Sequence, residues 1–302
     1  MKLQNKSIIV TGASRGLGRA MAQVCATEGA RVVCAALPND LDRLEVLVAG
    51  IKKAGGEAVA VACDISIMGD LERLVAKAVE SYGVIDGVIN NAGVNYVKPF
   101  VNVTEQEWEH VLSVDLKGTF FLTQLCVRQM LRQTPVRGSI VQIASVHTHA
   151  SLAGAAPYDA AKCGVVGFSK AAAVELAPHG IRVNILSPGL CRTEMWKDIV
   201  AAAPSEQACL DYWQANIPAG KLIEPDEIAR CCVFLLSDDS CTIDDVPIRV
   251  MSLHSRRTLA SPKGIRCSST GTRALSLYIS LSSKITTGLL SRIAVLISPL
   301  AS

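Results

Sequence analysis

The sequence has no C-x-x-C pair among its eleven cysteines. An odd, scattered set fits neither a disulfide framework nor a zinc site, so reduced thiols in a cytoplasmic protein are expected. Long apolar runs are also missing, and no segment approaches the ~20 residues of a membrane span. The longest late stretch, Leu289 to Leu300, is broken by Ser291, Arg292, Ser298 and Pro299. The first apolar run, Ser7 to Val10, is too short for a secretory signal and leads directly into a glycine-rich turn. The ending Pro299-Leu300-Ala301-Ser302 is not a peroxisomal address. An excess of one charge is lacking too: a formal +3 gives no electrostatic case for nucleic acid. Neither nucleic acid nor membrane is expected as a partner.

What the sequence does contain is apolar material, half of its 302 residues with only 19% charged, enough for a sizeable core. Short β-branched runs at Ser7–Val10, Arg31–Ala36, Ala58–Cys63, Gly87–Asn90, Gly138–Ile143 and Arg182–Leu186 predict strands. Helical patterns lie between them, at Gly18–Glu28, Asp40–Ala54, Gly69–Tyr82, Glu105–Leu131, Pro157–Pro178 and Pro225–Leu236. Continuously apolar strands alternating with helices predict an α/β fold, a doubly wound parallel sheet of Rossmann-like type.

The composition changes at about residue 240. From Cys241 onward two acids, Asp244 and Asp245, face eight bases, a balance of +6, so the first 240 residues carry −3. Serine is frequent and no strong helical period is seen. The expected organisation is a single catalytic domain over 1–240 and an atypical basic, serine-rich, poorly ordered tail over 241–302.

The first strand runs into Thr11-Gly12-Ala13-Ser14-Arg15-Gly16-Leu17-Gly18 and then a helix. Glycines here let the backbone turn tightly and approach a pyrophosphate, which the free N–H groups and helix dipole favour. The second strand ends Cys34-Ala35-Ala36-Leu37, without the acid that would bond the ribose of NAD. Arg15 offers a charged fork to a 2′-phosphate instead, so NADP is the expected cofactor, with NAD as the alternative. Asp64, after the third strand, is placed to accept from the adenine amino group, or to cap the next helix.

Four motifs in order now carry a resemblance. Beside Thr11 to Gly18 stand Asn90-Asn91-Ala92-Gly93, then Ser145 with Tyr158-Asp159-Ala160-Ala161-Lys162, then Pro188-Gly189 followed by Cys191 and Thr193. Over roughly residues 3–240 the chain resembles the short-chain dehydrogenase/reductase family. The resemblance implies an NAD(P)-dependent oxidoreductase acting on a small-molecule carbonyl or alcohol. It also implies cofactor contacts from the glycine turn, Asn91, Tyr158, Lys162, Cys191 and Thr193, the last at the carboxamide.

The residue types suit that chemistry. A free tyrosine has a pKa of about 10 and is a poor base unless nearby positive charge stabilises the phenolate. Lys162 lies one helical turn after Tyr158, on the same face. Ser145 can donate to the substrate oxygen as charge develops. His147 and His149, just beyond, are placed to touch substrate, and no third ligand suggests a metal. The segment Leu190 to Ala219, with Trp196, Tyr212 and Trp213, reads as a lid whose aromatics suit either an apolar substrate or plain packing.

Two positions depart from the family. Its catalytic asparagine falls on Asp115, which when ionised accepts hydrogen bonds but cannot donate them. Asp115 is then either a surviving member of the proton relay or an ion partner of Lys162. The usual closing strand gives way to Cys241-Thr242-Ile243-Asp244-Asp245-Val246. Family members are commonly dimers or tetramers, and this altered ending leaves homo-oligomer formation an open question. A nucleotide-binding protein with weak or no catalysis is the rival reading, favoured by Asp115 and the altered ending.

Overall fold

The computed structural model describes residues 1–201, 205–217, 220–244 and 247–250. The expected tail beyond residue 250 lies outside the described residues. Seven strands are β1 (Ser7–Thr11), β2 (Arg31–Ala36), β3 (Glu57–Ala62), β4 (Gly87–Asn90), β5 (Gly138–Ile143), β6 (Ile181–Pro188) and β7 (Pro247–Val250). They form one parallel sheet in the order β3-β2-β1-β4-β5-β6-β7. The order reverses between β1 and β4, which opens a crevice at the carboxyl ends of those strands, the place where such sheets bind ligands.

Successive residues point to opposite faces, and both faces are covered. Ile8 and Val10 of β1, Val32 and Cys34 of β2 and Val141 of β5 belong to one apolar layer. Ile9, Val33 and Ile140 belong to the other. The first layer is shared with α1 (Gly16–Thr27), α2 (Leu41–Lys53) and α9 (Pro225–Leu236). The second is shared with α3 (Met68–Tyr82), α5 (Thr119–Met130) and α6 (Ala156–Leu176).

The long helix expected over Glu105–Leu131 is not α-helical throughout. α4 (Glu105–Leu112) and α5 are separated by a wide π turn over Ser113–Gly118. Asp115 sits in this turn, fully buried, with its carbonyl accepting from the Thr119 hydroxyl at 3.0 Å. Such turns re-aim side chains at functional sites, and here the re-aimed side chain is a carboxylate.

The divergent ending still docks on the sheet. Asp244 accepts from the Val183 amide at 2.8 Å, and the Ile243 carbonyl accepts from Asn184 Nδ2 at 2.8 Å. These contacts lead the chain into β7, which pairs with β6 from Ile185↔Pro247 to Pro188↔Val250. Strand pairing therefore continues beyond residue 240. Proline lacks an N–H, so the outer strand of the sheet is where Pro247 costs least.

Two short helices, α7 (Glu194–Ala201) and α8 (Glu206–Asn216), follow β6. Trp196, Cys209, Ile217 and Leu222 bury one another there, so Trp196 is used in packing. Among the described residues, no helix is long and apolar enough to cross a membrane.

Candidate functional site

The glycine turn between β1 and α1 is built for close approach. Gly12 and Gly16 adopt φ of +64° and +53°, a left-handed backbone that favours glycine. At Gly18 a Cβ would collide with the Gly12 carbonyl oxygen, so no side chain fits. Thr11 and Asn91 fasten the turn to β4: Asn91 Nδ2 donates to the Thr11 carbonyl at 2.9 Å, and Thr11 Oγ1 accepts from the amides of Asn91 and Ala92. Arg15 is the N-cap of α1, yet no side chain caps it and no acid occupies the first turn. That leaves the amides and the positive helix end for an anion, which fits the pyrophosphate of a dinucleotide.

Around this turn the other expected cofactor residues are unevenly placed. Arg15 is exposed, while Ser14 is buried and donates to Asp40 Oδ2 at 3.3 Å. Leu17 packs on the core layer behind the turn. Asp64 accepts from the amide and hydroxyl of Ser66 at 2.9 and 2.7 Å, closing its own turn; it does not cap α3, whose N-cap is Ile67 with no side-chain cap. Thr193 reaches the glycine turn: a Cβ on Gly16 would lie 3.5 Å from its side chain. Cys191 is buried, bonds the Gly189 carbonyl and bridges to Ile223, and burial pushes its thiol up to about 12.

The second cluster gathers at the carboxyl end of β5 and on α6. Ser145 follows β5, buried, and its Oγ accepts from the His147 amide at 3.2 Å. Tyr158 and Lys162 project from one face of α6, with the Lys162 ammonium 5.5 Å from the Tyr158 ring centre. Lys162 is 4% exposed, donates to the Ile143 carbonyl at 3.2 Å and lies 3.2 Å from Asp115 Oδ2. Asp115 Oδ1 accepts from the Val94 amide at 2.7 Å. Burial opposes the lysine's charge, but the Asp115 carboxylate, followed by Tyr158, outweighs it and raises the pKa of Lys162. The side chains of Asp115 and Lys162 thus meet as an ion pair.

Three residues at this site were not anticipated together. His147 Nδ1 lies 2.7 Å from Asp159 Oδ1, and the other Asp159 oxygen accepts from the Ser151 hydroxyl. Nothing in the sequence joins these positions, because the turn after β5 brings them together. Asp40, beside Ser14, is the other unanticipated residue. Among the described residues no group of three His, Cys, Asp or Glu gathers to hold a metal.

This arrangement can be set beside known proteins. The family model described as enoyl-(acyl carrier protein) reductase matches residues 12–245. An uncharacterized oxidoreductase of Mycobacterium bovis is 39% identical over 238 residues, covering 78% of this chain and 91% of that protein. A solved short-chain type dehydrogenase/reductase from Mycobacterium marinum superposes with a TM-score of 0.75 at 30% identity, covering 82% of this chain and 95% of that one. A single-residue variant of actinorhodin polyketide ketoreductase, solved with NADPH, gives 0.77 at 31% identity, covering 83% and 97%.

Proposed function

The chain belongs to the short-chain dehydrogenase/reductase family of oxidoreductases, and from that premise we propose that it transfers a hydride between NADP(H) and a carbonyl or secondary alcohol. Tyr158 delivers or takes the proton. The observation that carries this reading is the buried Lys162 ammonium beneath the Tyr158 ring, beside Ser145 at the end of β5.

Gly12, Ser14, Arg15, Gly16, Leu17, Gly18, Asn91 and Thr193 would hold the dinucleotide, which supplies the hydride when bound. Asp64 and Cys191 flank that site in the same proposal. Ser145 donates to the substrate oxygen and orients it. As the carbonyl is reduced, negative charge collects on that oxygen, and the Tyr158 hydroxyl gives up its proton there. The Lys162 cation stabilises the phenolate left behind. Asp115 holds Lys162 charged and in place. The catalytic unit in this reading is residues 1–240, with β7 added at its edge.

NADP is favoured because Ala36 stands where an NAD-selective acid would, and Arg15 is exposed and free to meet a phosphate. A specific observation supports NAD as the second choice: Asp40 approaches the turn at Ser14 and brings a carboxylate near the same end of the cofactor.

The test is NADPH and NADH oxidation against a panel of ketones and aldehydes, with binding of each cofactor measured in parallel. Turnover of panel members supports the proposal. Tight cofactor binding with no turnover across the panel would replace it with nucleotide binding alone.

A further inference from the structure

The catalytic set leaves His147 without a role. It lies in the turn after Ser145, and its backbone amide bonds the Ser145 hydroxyl oxygen. Its ring stands at 89° to that of Tyr158, with centres 5.4 Å apart. The residue thus touches both groups that are to flank the reacting oxygen. Its Nδ1 is engaged by Asp159 at 2.7 Å, and both side chains are more than four-fifths buried, at 16% and 17% exposure.

A carboxylate on Nδ1 keeps the proton of the neutral imidazole at that nitrogen. Nε2 is then a lone-pair acceptor in a fixed direction. Ser151 donates to the second Asp159 oxygen and holds the carboxylate in position. Nε2 makes no hydrogen bond with the described residues and is not among the buried polar atoms lacking a partner, so it reaches solvent. An oriented acceptor beside Tyr158 and Ser145 suits a donor on the substrate itself.

We propose that His147 binds a hydroxyl group on the carbon next to the reacting one, so that the preferred substrates are hydroxycarbonyl compounds or the corresponding vicinal diols. This rests on the hydride-transfer reading above and narrows its substrate class. In reduction the hydride adds to the carbonyl carbon, the π pair moves to oxygen, and that oxygen takes the Tyr158 proton. The neighbouring hydroxyl donates to His147 Nε2 throughout and is not consumed. Asp159 is a positioning residue that acts through the imidazole.

The experiment compares 2-hydroxycyclohexanone with cyclohexanone under NADPH. The hydroxyketone is expected to have a kcat/KM larger by about tenfold, the value of one well-made hydrogen bond. His147→Leu should bring the ratio close to one, and His147→Gln, which keeps an acceptor, should restore part of it. Asp159→Asn should raise KM for the hydroxyketone more than it lowers kcat. Equal efficiency on both ketones in the unmodified protein, or an unchanged ratio in His147→Leu, would overturn the inference and leave hydride transfer standing. Turnover of neither ketone nor of any panel compound would remove hydride transfer itself, and the inference with it.

Discussion

Asp115 and Lys162 form a buried ion pair at 3.2 Å, with the aspartate fully enclosed and the lysine nearly so. The aspartate occupies the position at which the family resemblance implies asparagine. A neutral residue there would leave the lysine charge uncompensated beneath Tyr158. The pair therefore trades some of the field felt by the tyrosine for a lysine that stays charged.

Asp115→Asn should consequently change both rate and stability. With the counter-charge gone, more of the Lys162 field reaches Tyr158, and the acidic limb of the alcohol-oxidation profile should move to lower pH. Leaving one partner of a buried pair costs on the order of 3 kcal/mol, reduced here because asparagine can still accept from the Val94 amide. The raised pKa of Lys162 gives a contribution that is complete below the lysine's ordinary range and lost as pH rises through the folded value. The lysine's share of the stability gap between the two proteins should therefore be lost in strongly alkaline solution. Superimposable pH–rate profiles would mean that the carboxylate charge does not reach the tyrosine.

Cofactor choice is tested by a pair of substitutions. Arg15→Ala should weaken NADP binding far more than NAD binding, by about tenfold or more if one charged hydrogen bond is lost. Asp40→Asn removes the carboxylate beside Ser14 and should shift preference the opposite way, toward NADP. Isothermal titration with both cofactors reads this directly. An unchanged NADP-to-NAD affinity ratio in Arg15→Ala would make that arginine a bystander.

Much of this architecture was legible because strands buried on both faces are short, apolar and β-branched. The limits expected for β2, β4 and β5 coincide with those found. The π segment at Ser113–Gly118 was hidden, because what Asp115 reaches there, the Val94 amide and Lys162, is brought close only in the folded chain. β7 was less legible: Pro247 fits an edge strand locally, but the contacts of Ile243 and Asp244 with β6 just before it carry no sequence signal. The motif residues were readable in order, but the His147–Asp159 contact spans twelve positions with no periodic signal. Trp196 has the composition of a substrate-facing residue and proves to fill a small apolar cluster.

Acid sensitivity should localise to the start of α4. Glu107 bonds Lys98, then the amide and hydroxyl of Thr104, and these partners hold its carboxyl at about 2 against an ordinary 4.5. A lowered pKa stabilises the fold fully above the ordinary range and progressively less as pH falls toward 2. Glu107→Gln should therefore be less stable than the parent at pH 6, with the difference shrinking between about pH 4.5 and pH 2. Denaturant titrations at several pH values measure it, and a difference independent of pH would show that the charge is not what stabilises this cap.

The measurement that tests the account most directly is turnover and NADPH binding by Tyr158→Phe, side by side with the parent protein. Phenylalanine keeps the ring beneath which Lys162 lies and removes only the hydroxyl. The account predicts cofactor affinity within a few-fold of the parent and reduction of the best panel substrate slowed by at least about a hundredfold, the usual scale of a lost general acid. Parent-like turnover by Tyr158→Phe would contradict it, and the proton would then have to come from another group.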